Sequence, residues 1–381
     1  MSDLKKFDHY LSDDGPAALV IREHLMPVEG AEGDVFPATF ASGDGFAGGY
    51  NIDGDPNGKN VALIDTVGSQ ANRIEPLFME ERLKHLVPQI VVKAGEKEIS
   101  ILEAGHRAGD ALVRCSSLQK ELQEGFVAVL KGDAAPMASI APTSLVFGVW
   151  DSRDTQAKLP RVVASTIRAF NVRKLQRGAV YVPPVNYSDM EVFSAEEQQK
   201  AEGDKKSPLA KRGFVHVPAS GSHGGVIADG GIRRDATLGL AALRLLRSGK
   251  DVERTLALRR YILGLSLVAF TQNPTTYLRQ GCMLVGNPDK ASENEFVEVH
   301  SNGQRVPVSI TKDDALKYAT EAAKAFGVGE SRTVPFDIDR AKKDVTGEGD
   351  DKGSKKAAAK KAAAKKAADK KAAPTEETNA E

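Results

Sequence analysis

The sequence predicts one elaborated α+β domain over residues 1–345, followed by a Lys/Ala-rich low-complexity tail over residues 346–381. Three observations carry that prediction. Strand-like and helix-like segments alternate up to about Val345, no internal repeat interrupts them, and no linker is long enough to demand a second domain. With 41% hydrophobic and 27% charged residues, 381 residues can bury one large core or two smaller ones without disulfides.

Taken in order, Ala18 to Leu25 and Val61 to Val67 read as strands, as do Ser144 to Trp150, Ala179 to Val182 and Arg305 to Ile310. Helical spacing places Ala108, Ala111, Leu112 and Cys115 on one face. Ala315, Leu316, Ala319, Ala322, Ala323 and Phe326 form another stripe, which stops at Gly327. Longer helices are expected over Asp235 to Arg247 and Val252 to Phe270. Residues 42–60 and 186–212 are polar and Gly-rich or charged, and read as insertions with little to bury. The tail repeats Lys-Lys-Ala-Ala-Ala without any apolar side chain larger than alanine. It is expected to be disordered alone and partly helical on an anionic surface.

Several functional classes lack a signature. Cys115 and Cys282 cannot build a disulfide framework or a paired zinc site, and read as buried small hydrophobes. Asp53, Asp55, Asn57 and Gly58 resemble the start of a calcium loop, but the closing position is Ile64. Gly54, Gly58 and Lys59 nearly spell a phosphate loop, but the spacing is one residue short and Asn60 replaces the hydroxyl; a hydrophilic turn remains. The histidines show no metal-ligand spacing, and neither a nucleophile elbow nor a dinucleotide fingerprint occurs. No cofactor or metal is expected. The N-terminus lacks a basic lead followed by an apolar stretch, and the run from Tyr261 to Phe270 is too short to span a bilayer, so a cytoplasmic protein without a membrane partner is expected.

Charge is distributed unevenly. Lys352 to Lys371 holds nine lysines against one acid, Asp369. Taking these from 52 basic and 52 acidic residues leaves 43 against 51, a formal −8 on the rest of the chain. A nucleic-acid surface there must be a local patch. Between Thr155 and Ser188 no carboxylate occurs, while Lys158, Arg161, Arg168, Arg173, Lys174 and Arg177 do. If Pro160 opens a helix, Val163, Ile167 and Phe170 pack on one side, and Arg161, Ser165 and Arg168 face outward. The alternative is a solvated face whose charges pair with acids elsewhere. Gly68 to Arg73 follows a strand and opens a helix that turns Ile74, Leu77 and Phe78 inward; its backbone N–H groups, Asn72 and Arg73 could converge on an anion, the bland reading being an N-cap at Ser69. Arg107, Asp110 and Arg114 share a helical face, where Asp110 could simply pair with either arginine.

These segments together resemble a known family. Ala18-Leu-Val-Ile-Arg-Glu-His-Leu-Met-Pro-Val, Leu63-Ile-Asp-Thr-Val-Gly-Ser-Gln-Ala-Asn-Arg-Ile-Glu-Pro, Ala104-Gly-His-Arg-Ala-Gly-Asp-Ala-Leu-Val-Arg-Cys-Ser-Ser and Ala141-Pro-Thr-Ser-Leu-Val-Phe-Gly-Val-Trp-Asp-Ser-Arg-Asp-Thr-Gln-Ala-Lys-Leu-Pro-Arg look like the backbone RAMP subunit of type I-U (I-G) CRISPR effector complexes, the seventh Cas protein family in its I-U form. Ser165-Thr-Ile-Arg-Ala-Phe-Asn-Val-Arg and Gly231-Ile-Arg-Arg-Asp-Ala-Thr-Leu extend the resemblance, which covers most of Ala18 to about Phe270.

The resemblance implies a ferredoxin-like, RRM-type RAMP core with insertions. Copies of such a subunit line up in a helical filament along a guide crRNA within a Cascade-like complex, beside other CRISPR effector subunits. They hold the sugar-phosphate backbone, leave the bases free to pair with target DNA, and do no chemistry. Basic or polar residues inside the matching phrases are the RNA-binding candidates: Asn72, Arg73, His106, Arg107, Arg114, Arg153, Lys158, Arg161, Arg168, Arg173, Lys174, Arg233 and Arg234. Two other readings compete. One is a metal-independent endoribonuclease acting on precursor crRNA, with His106 or His223 as acid-base groups. The other is a general nucleic-acid packager acting through the tail, which lies outside the resemblance.

Overall fold

The computed structural model describes residues 3–55, 58–204, 206–272 and 276–346, so the Lys/Ala tail beyond Thr346 falls outside the described residues. The strands that position the site are β1 (Ala18–Pro27), β2 (Asn60–Asp65), β3 (Val163–Phe170), β4 (Val172–Tyr181), β5 (Val217–Ala228), β6 (Ile232–Gly239), β7 (Cys282–Gly286), β8 (Glu295–Val299) and β9 (Arg305–Pro307). The accompanying helices are α1 (Val67–Ile74), α2 (Gln119–Leu130), α3 (Thr143–Phe147), α4 (Val252–Thr271), α5 (Lys312–Phe326) and α6 (Ile338–Thr346).

The central sheet runs β7, β1, β6, β3, β2, with every one of these neighbours antiparallel. β8 shares the free edge of β1 with β7 and carries β9 outside it. Because β1 and β3 both oppose β6, they run parallel to each other, joined through β2 and the helices between. Likewise β6 and β8 run parallel on either side of β1, joined through α4. Two interleaved crossovers on one antiparallel sheet make a mixed α+β fold compatible with an RRM-like RAMP core.

One face of the sheet is covered by helices. Leu19, Val163, Ala236 and Leu238 pack with Leu258 to Phe270 of α4. That helix is buried at every position from Tyr261 to Phe270, as a helix enclosed by a core must be. α5 lies across it where a Cβ built on Gly264 would come within 2.8 Å of the Ala319 Cα, so only glycine permits this crossing. A second cluster, including Ala62, Ile64, Ile167, Ala169 and Ile232, continues the core beneath the other end of the sheet.

β3 and β6 do not end at the sheet. Asn171, at φ 48°, turns the chain into β4, and β5 returns beside it to form a hairpin ribbon, joined near its base by the short strand Asp34–Val35. The corner is pinned by Asn60, whose Oδ1 accepts from Val172 N at 2.7 Å while its Nδ2 donates to Val172 O at 3.1 Å.

Several sequence expectations need correction. The helix expected from Pro160 is instead strand over Val163–Phe170: Val163, Ser165, Ile167 and Ala169 are buried in strict alternation, which puts Phe170 on the face opposite Val163. The β-branched residues and two waiting sheet partners override the helical spacing. Asp235 to Arg247 is likewise strand as far as Gly239, with helix only over Leu240–Arg244, because pairing to both β1 and β3 extends that far. Ser144 to Trp150 is mostly α3, ended by Gly148 at φ 76°; a short, fully buried apolar run has no periodicity to separate strand from helix. Ala108 to Cys115 splits into a 3-10 turn, Arg107–Gly109, and a one-turn helix, Ala111–Arg114, capped between them by Asp110. Thr66 rather than Ser69 caps α1, accepting from Ser69 N. The strand expected from Arg305 ends at Pro307, and the 186–212 insertion contains two short helices, Ala195–Ala201 and Pro208–Lys211. The expected α5 stripe, its stop at Gly327 and the buried cysteines are all found.

Candidate nucleic-acid interface

The uncovered face of the central sheet gathers guanidinium groups. Strand alternation sends Arg168 and Phe170 of β3, and Arg233 and Asp235 of β6, to this face, together with Arg22 and His24 of β1. Register places His24, Arg233 and Arg168 in one row across three strands, with Arg22, Asp235 and Thr166 in the next. Arg233 Nε lies 3.0 Å from Asp235 Oδ1, while Arg22 Nε and Arg168 Nη1 approach the same carboxylate at 3.6 and 3.9 Å. At the edge, Glu295 of β8 meets Arg22 at 3.4 Å and Arg305 of β9 at 2.5 Å. The Arg305 hydrogen bond, helped by the charges of Arg22, Arg305 and Arg233, holds the Glu295 carboxyl below its usual range. Four arginines thus share two carboxylates on a half-exposed surface, with the Arg233 guanidinium 4.9 Å from the Phe170 ring centroid. Such a patch offers forked donors and residual positive charge to phosphate oxygens.

A second cluster forms where α1 meets the Arg107–Gly109 turn. Arg107 is 5% exposed, with Nε 2.6 Å from Glu75 Oε2, and its guanidinium donates to Asn72 Oδ1 at 3.3 Å and to Gly148 O at 3.4 Å. Burial pushes the Glu75 carboxyl up to about 7, with Arg107 and Thr143 opposing that rise. Arg107 also sits at φ 53°, a conformation that costs a non-glycine residue energy and is retained where surrounding contacts fix it. The exposed Arg161 donates to Val67 O at 3.3 Å. Burial, then the charge of Arg107, presses it below the ordinary guanidinium value, so an anion beside it would be favoured. Asn72, Arg107 and Arg161, far apart in sequence, are thereby brought together, with Arg107 acting as the buried support.

Other candidate arginines hold the fold instead. Arg234 lies directly opposite Glu23 on the covered face, 5% exposed and 2.6 Å from its carboxylate. Arg73 reaches the buried Asp65 at 3.3 Å and donates to Leu278 O at 2.6 Å; Arg279 approaches Asp65 at 2.7 Å from the other side. Gln70 donates to Asp65 and accepts from Ser165, so this network ties α1 to β3. Arg114 pairs with Asp344 of α6, and Asp110 faces His106 at 3.6 Å rather than either neighbouring arginine. Arg153 is exposed on a turn after α3, and Lys158 is exposed on a two-residue strand opposite Trp150, its ammonium 4.7 Å from the Trp150 ring centroid. Arg173 and Lys174 are exposed on the ribbon, where Arg173 makes a forked pair with Asp229.

Sequence reasoning misses Arg22, His24, Arg305 and their two carboxylates. The signal is present as Arg22 and His24 two residues apart in a strand, which only a register for β1 could connect to Arg168 and Arg233. The two histidines of the nuclease reading lie on different elements. His106 is 86% exposed at the start of the 3-10 turn, and His223 on β5 packs 4.7 Å from the Tyr50 ring. Among the described residues no group of three or more His, Cys, Asp or Glu could hold a metal ion. No helix there is long and apolar enough to cross a membrane.

Fold and surface together define a mixed α+β protein built on an RRM-like sheet with an arginine-lined open face. Residues 19–174 match the family model described as CRISPR-associated protein GSU0053, so this part of the chain is similar to that CRISPR-associated family. The match runs from β1 to the first residues of the ribbon. No curated protein matches the chain.

Proposed function

We propose that this chain is a non-catalytic backbone subunit of a type I CRISPR effector complex, one that grips the sugar-phosphate backbone of guide crRNA. In this reading several copies follow one guide, contact the other effector subunits, and leave the bases to pair with target DNA. The observation that carries it is the row of Arg233 and Arg168 on the open sheet face, reinforced by Arg22 and Arg305 and backed by Phe170. Cations on a sheet bind phosphates of any sequence, as a subunit serving many guides requires. The Asn72, Arg107 and Arg161 cluster supplies a second anion-favouring point.

Substituting Arg168 and Arg233 together by alanine tests the reading. Binding to guide RNAs of unrelated sequence should weaken alike, and the log–log salt slope should fall by about 0.7 for each phosphate that is no longer neutralised. Unchanged affinity across a salt titration would remove the open face from the proposal. Incubating the protein with precursor crRNA in EDTA addresses the endoribonuclease alternative, since specific cleavage there would replace the non-catalytic reading. Truncation after Thr346 addresses the packager: a guide-binding body should still assemble without Lys352 to Lys371.

A further inference from the structure

Asp235 stands at the middle of a surface proposed to bind a polyanion, where simple electrostatics makes a carboxylate unfavourable. Its geometry gives a reason for its presence. Of the three arginines around it only Arg233 makes a hydrogen bond to it. Arg22 Nε, 3.6 Å away, makes none although it is shielded from solvent, and Arg168 Nη1 stops at 3.9 Å. The carboxylate therefore draws three long side chains toward one point, with Arg233 hydrogen-bonded to it, Arg22 shared with Glu295, and Arg168 making no hydrogen bond to it. Glu295, at the sheet edge, holds Arg22 and Arg305 by a hydrogen bond to each.

We infer that Asp235 is a positioning residue for phosphodiester recognition, a fixed internal anion that keeps Arg22, Arg168 and Arg233 extended and co-facing before the strand arrives. Holding flexible cations in place beforehand removes ordering entropy from binding. That benefit must exceed the repulsion between Asp235 and phosphate, which neutralisation by three guanidiniums and exposure to water keep small. The inference rests on the open face being the guide-binding surface, and it makes a prediction opposite in sign to a plain charge count. Removing a negative charge should weaken binding of RNA.

The test uses the full chain and a single-stranded RNA of arbitrary sequence, titrated at several salt concentrations, so that the basic tail contributes equally to every variant. Asp235→Asn should lower affinity about fivefold or more, and reduce the salt slope by about 0.7 to 1.4, the signature of one or two fewer phosphates neutralised. Asp235→Glu, which restores the anion, should recover most of both. Should Asp235→Asn prove poorly folded by its melting curve, Glu295→Gln carries the same expectation for Arg22 and Arg305 at the periphery. Equal or tighter binding by a folded Asp235→Asn overturns the positioning role. If the Arg168 and Arg233 double substitution also leaves affinity unchanged, the open face itself fails; if the double substitution weakens binding and Asp235→Asn does not, only the positioning role fails.

Discussion

Arg233 and Arg234 are neighbours in sequence and belong to two different worlds. Arg234 points into the covered side of the sheet and is locked to Glu23; Arg233 points outward, over Phe170 and beside Asp235. The same contrast separates Arg73, Arg107 and Arg114, which brace helices and loops, from Arg22, Arg168 and Arg305, which line the open face. A basic residue inside a matching phrase is thus no guide to its role until the parity of its strand is known. Burial on one side makes a guanidinium part of the fold, and half-exposure on the other makes it available to a ligand.

That division can be broken experimentally, beginning with the largest effect. Glu75→Ala leaves Arg107 buried without its carboxylate and should cost about 3–5 kcal/mol, read from urea unfolding. Unfolding at the wild-type midpoint would mean that the covered side carries no essential pair. The Arg168 and Arg233 double alanine variant should instead keep its unfolding midpoint and lose about tenfold or more in RNA affinity, because charge-assisted hydrogen bonds are worth about 1.5–3 kcal/mol each. A variant that melts early without losing affinity would reverse the two roles.

The two sides should also respond oppositely to pH. Glu75 is raised from an ordinary 4.5 to about 7, so it binds its proton more tightly in the folded protein. Its contribution to stability is fully present below about 4.5 and is lost as pH rises through about 7. Glu295 is depressed, so its contribution is present above the ordinary carboxylate value and disappears as pH falls through its lowered one. Unfolding curves of Glu75→Gln and Glu295→Gln, each compared with wild type from about pH 3 to about pH 8, should show these opposite trends; parallel trends would dissolve the distinction. The smallest effect is expected at Arg173, whose forked pair with Asp229 is exposed on the ribbon. Arg173→Ala should leave the melting curve unchanged, and a large loss of stability there would show that the ribbon is braced by its surface charges.

How much of this is legible in the sequence depends on the kind of order involved. α4 and α5 are readable because long helices carry their period and their caps in contiguous residues, down to Gly327. β3 misleads because eight residues accommodate both a helical and a strand pattern, and the deciding factor is two neighbouring strands that arrive from elsewhere in the chain. The consequence for the site is direct. The carboxylate-free stretch singles out Arg168, but its partners Arg22, Arg305, Asp235 and Glu295 are joined to it by register alone. Helical spacing groups Arg107 with Asp110 and Arg114 on one continuous helix that does not form; Arg107 is instead buried against Glu75 and donates to Asn72.

The clamp that Asn60 places on Val172 gives the molecule a fixed elbow. Both peptide groups of the bend are secured from β2, so rotation of the ribbon against the sheet would require two buried hydrogen bonds to open together. Alterations beyond the elbow, including replacement of residues 186–212 by a shorter connector or a reporter module, should therefore remain mechanically isolated from the arginine lattice. The far end of the chain's longest hairpin becomes a place where length can drift or be engineered while the surface behind it keeps its shape.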